Sequence, residues 1–153
     1  MTTVHIWDRE GAPSQNKSIP KKFLLWNSYS FNSDHDSIPE LVDQNEKLLR
    51  AKFLSWTYGL SQLKLDGKTL LETLVLKSSL SFWWLTNFSE KCNFSKSPEM
   101  DNIIKIFALE LFCAKHTMDT LELTSSNNAL CSALEIWCEN QGMTFINIKM
   151  NSA

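Results

Sequence analysis

The stretch DTLELTSSNNALCSALEIWCENQGMTFINIK, residues 119–149, decides the fold of this chain. Leu121 and Leu123 alternate with polar neighbours, which is typical of a strand that buries one face. A helical stripe follows, formed by Leu130, Ala133, Leu134 and Trp137. Gly142 then stops the helix, and the loose alternation in TFINIK predicts a second strand. A strand, a helix and a strand in this order predict a parallel pair joined by a right-handed crossover.

Two further strands are predicted near the start of the chain. Residues 23–26, FLLW, are consecutively apolar, as expected of a strand that is covered on both faces. The opening TTVHIWD alternates Val4 and Ile6 with other residues, which predicts a short first strand. Residues 9–21 and 30–37 are mostly polar, and we expect both segments to be loops.

The middle of the chain follows a helical period. Residues 38–62 predict one helix, because Pro39 suits a first turn and apolar residues fall on one stripe. That stripe consists of Leu49, Phe53, Trp56 and Leu60. Asp66 and Gly67 predict a turn, after which a new helical face is predicted. The new face consists of Leu70, Leu71, Leu74 and Val75.

Two more helical segments are predicted before residue 119. The segment SFWWLTNFSEK, residues 81–91, is predicted to be amphipathic and helical, because apolar residues recur with helical spacing around it. Those residues are Leu80, Trp83, Trp84 and Phe88. Ser97, Pro98 and Glu99 form a strong start signal for the next helix. Its buried face is predicted to be Met100, Ile103, Ile104, Phe107 and Leu111.

These elements predict an α/β fold. We expect a Rossmann-like layered sheet of three to four mainly parallel strands. A helix-rich insertion should separate the early strands from the carboxy-terminal unit. The 153 residues suit one domain, residues 1–153. Doubly wound sheets commonly have about five or six strands, so we expect either a small open sheet or the amino-terminal part of a longer protein.

Composition excludes several classes of protein. Hydrophobic residues make up 43% of the chain and the net charge is -2, so a disordered chain is not expected. With only 4 Gly and 4 Pro, an all-β fold is also unexpected. No apolar run exceeds four residues and the start lacks a signal-peptide pattern, so we expect a cytoplasmic protein without a transmembrane segment. Peripheral association with the inner membrane stays open.

Charge and cysteine spacing give no sign of nucleic acid, metal or cofactor binding. The 15 basic and 17 acidic residues are interspersed, so no stripe for a phosphate backbone is present and nucleic acid is not an expected partner. The four cysteines form no C-x-x-C pair, and we expect free thiols and no metal site. No Gly-rich nucleotide motif occurs, so no cofactor is predicted.

Ligands of open parallel sheets bind beyond the carboxyl ends of the strands. This rule selects residues 27–30 and residues 125–128. In the second segment, Ser125, Ser126 and Asn127 precede a helix whose free N–H groups could hold an anion or substrate. The same residue types are ordinary helix caps, so capping alone is the alternative.

The tryptophan pair in residues 81–91 is a second candidate for ligand or partner contact. Adjacent positions on a helix differ by about 100°, so Trp83 and Trp84 cannot both point inward. We expect Trp84 to be buried and Trp83 to be partly exposed, where it could stack on a sugar or a partner. The alternative is that both rings belong to the core.

Charged groups elsewhere give less direct indications. Glu90 and Lys91 could act as an acid and an anion contact, although a solvated pair is the alternative. Asp34, His35 and Asp36 offer metal or proton-transfer groups, but consecutive residues seldom converge on one point. The sequence contains no recognisable catalytic constellation.

A resemblance adds to this interpretation. At LLWNSY, KFLSWTYGL, LDGKTLLETL, SFWWLTNFSEK and KSPEMDNIIKIFALELF, the chain resembles the amino-terminal region of a bacterial family of surface-carbohydrate biosynthesis proteins. Members of that family resemble glycosyltransferases built from two Rossmann-like domains. The resemblance covers about residues 23–149, and the family's serine, aromatic residues and Glu-Lys pair match Ser81, Trp83, Trp84, Glu90 and Lys91.

The resemblance implies a role in assembling lipopolysaccharide or capsule. The chain would be the acceptor-side domain of a glycosyltransferase-like protein and would position a sugar or glycan acceptor, with Glu90 as a candidate general base. A carboxy-terminal domain would bind the nucleotide-sugar, so this chain alone is not expected to be active. The alternative is a non-catalytic interaction module whose aromatic surface docks a partner protein.

Overall fold

The computed structural model describes residues 2–11, 13, 22–30, 35–77, 80–86 and 97–148. Its contacts divide the chain into two compact units, which are described separately. The sheet unit comprises Met1–Asn45 and Lys105–Ala153, and the insert unit comprises Glu46–Ile104. The prediction of a single domain stays a prediction.

The sheet unit is built on five parallel strands. They are β1 (Thr3–Trp7), β2 (Lys22–Leu25), β3 (His35–Ser37), β8 (Thr120–Thr124) and β9 (Thr144–Asn147). Their order across the sheet is β3-β2-β1-β8-β9, and every neighbouring pair is parallel. The α/β, Rossmann-like prediction is therefore confirmed.

The helices of the sheet unit are α1 (Ile38–Gln44), the larger part of α4 (Pro98–Lys115) and α5 (Asn128–Gln141). The predicted strand, helix and strand within residues 119–149 are confirmed as β8, α5 and β9. Gly142 ends α5 with φ 68, a left-handed conformation that glycine adopts without steric cost.

The strand register divides the sheet into two chemically different faces. Val4 pairs with Leu121, and Ile6 pairs with both Leu24 and Leu123, so these fully buried side chains share one face. Lys22 pairs with Val4 and therefore points to the same face, where its Nζ lies 4.9 Å from the centre of the Phe112 ring. This contact places α4 on the apolar face.

The two helices α4 and α5 lie side by side. Trp137 Nε1 of α5 donates a hydrogen bond to Glu110 Oε1 of α4 at 3.2 Å. From α5, Leu130, Leu134 and Cys138 are buried. The predicted stripe is thus right at Leu130 and Leu134 and wrong at Ala133, which is exposed.

The strand count differs from the prediction of three to four because residues 35–37 form a strand rather than part of a polar loop. β3 has only three residues and lies at the edge of the sheet, where short polar strands are tolerated. His35 nevertheless has an apolar contact, since its ring stacks on Phe23 at 5.8 Å between centroids.

The helix predicted over residues 38–62 is interrupted. α1 ends at Gln44 and α2 (Glu46–Ser61) begins after Asn45. The Asn45 side-chain Nδ2 donates to the carbonyl of Leu41 at 2.8 Å, and this local bond competes with the helical pattern. The predicted stripe is right at Leu49 and Phe53, which are buried, whereas its other members Trp56 and Leu60 are half-buried.

The insert unit also contains two small hairpins. β4 (Lys64–Leu65) pairs with β5 (Lys68–Thr69) through the predicted Asp66-Gly67 turn, in which both residues have positive φ. α3 (Leu70–Thr73) is one turn long, and the chain then enters β6 (Val75–Lys77), which pairs with β7 (Leu80–Ser81). The helical face predicted from Leu70 to Val75 is therefore wrong at Val75.

The segment after β7 is not the predicted α-helix. Ser81 caps a short 3₁₀ helix, Phe82–Leu85, in which only Trp83 is buried. Trp83 is 3% exposed and Trp84 is 59% exposed, so the prediction assigned the two rings the wrong way round. A 3₁₀ helix turns once in about three residues rather than 3.6, which changes which side chain faces inward.

The helix start predicted at Ser97-Pro98-Glu99 is confirmed by α4. Its predicted buried face is right at Met100 and Phe107 only. Ile103, Ile104 and Leu111 are half-buried instead. The remaining buried residues are Lys105, Ala108, Leu109 and Phe112.

Candidate functional site

The strand order creates a position at which the chain reverses its direction across the sheet. From β1 the chain proceeds to β2 and β3 on one side, whereas β8 and β9 extend the sheet on the other side. β1 and β8 are hydrogen-bonded neighbours, so the reversal point lies between them. Ligands of open α/β sheets bind beyond the carboxyl ends of strands at such a point.

Asp8 follows β1 directly at this edge. Its backbone N–H donates to the carbonyl of Thr124, the last residue of β8, at 3.0 Å. Both carboxylate oxygens of Asp8 are used. Oδ1 accepts a hydrogen bond from Asn27 Nδ2 at 2.5 Å, and Oδ2 accepts one from the Ser125 hydroxyl. Asp8 therefore joins the ends of three neighbouring strands.

Asn27, beyond the end of β2, extends the polar chain toward α4. Its Oδ1 accepts a hydrogen bond from Lys105 Nζ at 2.6 Å. Lys105 is only 9% exposed, and the other buried residues of α4 are apolar. A lysine this buried requires polar partners, since an unpaired charge in such surroundings is costly.

On the other side of Asp8, the polar chain reaches the start of α5. Ser125 Oγ accepts a hydrogen bond from the Asn127 N–H at 2.9 Å. Asn127 in turn caps the helix, because its Oδ1 accepts from the Leu130 N–H at 3.1 Å. Ser126 is exposed. The capping alternative is thus realised at Asn127, while contact of Ser125, Ser126 and Asn127 with a ligand stays a prediction.

Together, these contacts form the edge cluster, which we define as Asp8, Asn27, Lys105, Ser125 and Asn127. Its side chains supply a carboxylate, an ammonium, two amides and a hydroxyl, so donors and acceptors are mixed. The formal charges of Asp8 and Lys105 cancel. Cys131, in the first turns of α5, stays a neutral thiol, because burial and then the Asp8 charge raise its pKa.

A second set of polar contacts lies beyond β2 and β3. The Ser30 N–H donates to Glu40 Oε1 at 2.9 Å, and the Ser37 hydroxyl donates to the Ser28 carbonyl at 2.8 Å. Tyr29 donates to Asp43 Oδ2 at 2.8 Å, and this hydrogen bond raises the pKa of Tyr29. The predicted segment 27–30 is therefore held in place at the carboxyl edge.

Sequence reasoning selected Asn27, Ser125 and Asn127 at this edge but missed Asp8 and Lys105. Asp8 could have been found, since it follows a predicted strand just as Asn27 and Ser125 do. The sequence indicates Lys105 less directly, since it is a single cation between two isoleucines, Ile104 and Ile106, in a mostly apolar helical segment.

The insert unit holds the residues selected around the tryptophan pair. The Ser81 hydroxyl donates to the Leu71 carbonyl at 2.7 Å and accepts from the Trp83 N–H at 3.3 Å. Its polar capacity is thus used within the unit. Trp84 offers an exposed ring, whereas Glu90 and Lys91 lie outside the described residues.

Of residues 34–36, the structure describes His35 and Asp36, and these two do not form a metal or proton-transfer site. Asp34 lies outside the described residues, His35 stacks on Phe23, and Asp36 forms an ion pair with Lys22 at 2.9 Å. Throughout the part of the chain that the structure describes, no group of three or more His, Cys, Asp or Glu side chains is positioned to hold a metal ion.

The face of the sheet opposite the apolar face carries a buried polar group. His5 Nδ1 lies 3.3 Å from Glu122 Oε2, and His5 Nε2 lies 2.8 Å from the Thr124 hydroxyl. The His5 ring also stacks on Phe23 at 5.0 Å between centroids. Thr124 is 1% exposed, so this arrangement stabilises the sheet and does not present a nucleophile to a ligand.

None of the three comparisons, with protein families, with curated proteins and with solved structures, gives a match to this chain. Within the described residues, no helix has the length and apolar character needed to cross a membrane.

Proposed function

We propose that this chain is the acceptor-side domain of a glycosyltransferase-like protein of bacterial surface-carbohydrate biosynthesis, and that its edge cluster binds the sugar or glycan acceptor. The observation that carries the proposal is the convergence of Asp8, Asn27, Lys105 and Ser125 at the reversal point of a parallel sheet. These side chains come from four separate parts of the chain.

The chemistry of the edge cluster favours a hydroxyl-rich ligand over a simple anion. Sugar hydroxyls both donate and accept hydrogen bonds. Each carboxylate oxygen of Asp8 has a second lone pair that can accept a further hydrogen bond beside the amide and ammonium donors. Because the Asp8 charge offsets that of Lys105, a phosphate would gain little net attraction here. A neutral polyol would exchange its hydrogen bonds with water for equivalent bonds to these groups.

The same proposal assigns different roles to this chain and to a second domain. The edge cluster would orient an acceptor hydroxyl, and a second domain would bring the nucleotide-sugar, so orientation is this chain's contribution to the rate. For the insert unit, Glu90 as a general base and Ser81, Trp84 and Lys91 as substrate contacts stay separate predictions. Trp83 is 3% exposed, so we propose no substrate contact for it.

A second candidate function is a non-catalytic interaction module. It is favoured by a group of exposed large apolar side chains in the β6 to 3₁₀-helix segment. The exposed residues are Val75, Leu76, Leu80, Phe82, Trp84 and Leu85. Several large apolar side chains exposed within one short segment can mark a contact with another protein.

Saturation-transfer NMR with neutral methyl glycosides of hexoses and N-acetylhexosamines tests the first function. We expect transfer from the protein to at least one glycoside, and we expect Asp8→Asn to remove most of it. Asp119→Asn is the matched control, because Asp119 lies at the amino-terminal edge, where it accepts the Thr2 N–H at 3.0 Å.

Two results would contradict the acceptor-binding function. One is the absence of transfer to any glycoside from a folded protein. The other is an equal loss in Asp8→Asn and Asp119→Asn, which would separate binding from the edge cluster. Transfer that disappears only in Trp84→Ala would instead favour the aromatic surface of the insert unit.

A further inference from the structure

A cavity of about 500 Å³ lies in the sheet unit at the opposite edge from the edge cluster. Its lining comes from the last two turns of α4, from the last two turns of α5 and from the residues that lead into β8 and β9. Met118 precedes β8, and Met143 directly precedes β9. The volume is within the range of about 300–1,000 Å³ that is usual for small-molecule sites.

The charge of this cavity is negative. Glu110 is the carboxylate among the described lining residues, and neither lysine nor arginine is among them. Cys113 contributes no charge near neutral pH, because burial first, and then the neighbouring Cys138 and Glu110, raise its pKa to about 12. His116 also lines the cavity, where its ring lies 4.6 Å from the Phe112 ring between centroids.

Two helix ends add to the negative potential. α4 ends at Lys115 and α5 ends at Gln141, and residues of both last turns line the cavity. The carboxyl end of a helix carries a partial negative charge that favours a bound cation. Lys115 offsets this charge at α4, whereas the last turn of α5 has no basic residue.

The cavity also provides an apolar surface for the body of a ligand. Trp137 is half-buried, and the hydrogen bond from its Nε1 to Glu110 at 3.2 Å holds its ring beside the carboxylate. An indole face attracts cations as well as apolar groups. The half-buried thioethers of Met118 and Met143 are polarizable and adapt to flat ligands.

We propose that this cavity binds a small organic ammonium ion with an aromatic or apolar body. The ammonium would contact the Glu110 carboxylate near the ends of α4 and α5, and the body would lie against Trp137 and the two methionines. The site is separate from the edge cluster, and its existence does not depend on the proposed acceptor function.

Three probes with the same ring test this proposal at pH 8: 2-phenylethylamine, 2-phenylethanol and 3-phenylpropionate. The readout is the indole N–H signal of Trp137 in a ¹⁵N spectrum of the whole chain, assigned with Trp137→Phe. We expect a saturable shift with the amine and about tenfold weaker binding of the alcohol, since a hydrogen bond to a charged group is lost. The carboxylate should give no shift.

Glu110→Gln tests the role of the carboxylate. It should weaken amine binding about tenfold and leave alcohol binding unchanged, and the unchanged alcohol binding would show that the cavity is intact. Glu139→Gln is the control, since Glu139 is exposed on α5 and does not line the cavity. Equal binding of amine and alcohol to the wild-type protein, or no shift of Trp137, would overturn the proposal even if Glu110→Gln fails to fold.

Discussion

The Ser125 hydroxyl donates a hydrogen bond to the Asp8 carboxylate across 117 positions of sequence. This bond links the ends of β8 and β1, the two strands between which the sheet reverses its direction. Ser125 also accepts the Asn127 N–H at 2.9 Å, so one hydroxyl connects the start of α5 to the central strand.

Replacing Ser125 with Ala should therefore lower the free energy of unfolding by about 1 to 2 kcal/mol, because two hydrogen bonds of a half-buried hydroxyl are lost. Urea denaturation followed by circular dichroism measures the change. Ser126→Ala is the matched control and should stay within about 0.5 kcal/mol of wild type, because Ser126 is exposed. A loss of unfolding free energy in Ser125→Ala that is no larger than the small change in Ser126→Ala would show that the Ser125 bonds contribute nothing to stability.

The tryptophan pair gives a second prediction. Trp83 is 3% exposed and Trp84 is 59% exposed, so their truncations should differ greatly. Trp83→Ala should lower the free energy of unfolding by about 3 to 5 kcal/mol, as usual for a buried aromatic residue. Trp84→Ala should cost about 1 kcal/mol or less. Thermal denaturation measures the stability of both variants. A larger loss for Trp84→Ala than for Trp83→Ala would show that Trp84, and not Trp83, is the buried ring.

The thiol of Cys113 predicts a pH dependence of stability. An unfolded thiol loses its proton near pH 9.0, whereas burial raises the pKa of Cys113 in the folded protein to about 12. Between these values the unfolded chain binds fewer protons than the folded chain, so the free energy of unfolding falls as pH rises. Below about pH 9 this contribution is constant.

Cys113→Ala isolates that contribution. The difference in unfolding free energy between wild type and Cys113→Ala should be constant from pH 7 to 8.5. From pH 9 to 10.5 the wild-type protein should lose stability relative to Cys113→Ala. Cys138, whose pKa burial raises to about 11, is present in both proteins, so the part of its effect that does not depend on Cys113 cancels in the difference. A difference that does not change with pH would mean that Cys113 ionises as freely when folded as when unfolded.

Local patterns predicted the elements whose chemistry agrees with their surroundings. Leu121 and Leu123 mark β8, Asn127 caps α5 and Gly142 ends it, so three independent signals agree on one unit. The alternation is wrong only about the other face of β8, where Glu122 and Thr124 are buried as well. The start of α4 at Pro98 was predictable for the same reason.

Tertiary contacts overrode local patterns elsewhere. The sequence of β3 has no apolar alternation, so it predicts a polar loop. Only its pairing with β2 at the edge of the sheet makes it a strand. Trp83 and Trp84 were assigned in reverse, because a helical period of 3.6 was applied to a 3₁₀ turn. Lys105 could not be placed in the edge cluster, since its partner Asn27 is 78 positions away.

The most direct test of the central claim is a map of backbone amide shifts on addition of a methyl glycoside that shows saturation transfer. The claim that the edge cluster holds the acceptor predicts that the largest shifts fall at Asp8, Asn27, Lys105, Ser125 and Asn127, and that Asp8→Asn abolishes them. Shifts confined to residues 75–85, or to Glu110, Trp137 and their neighbours, would contradict it.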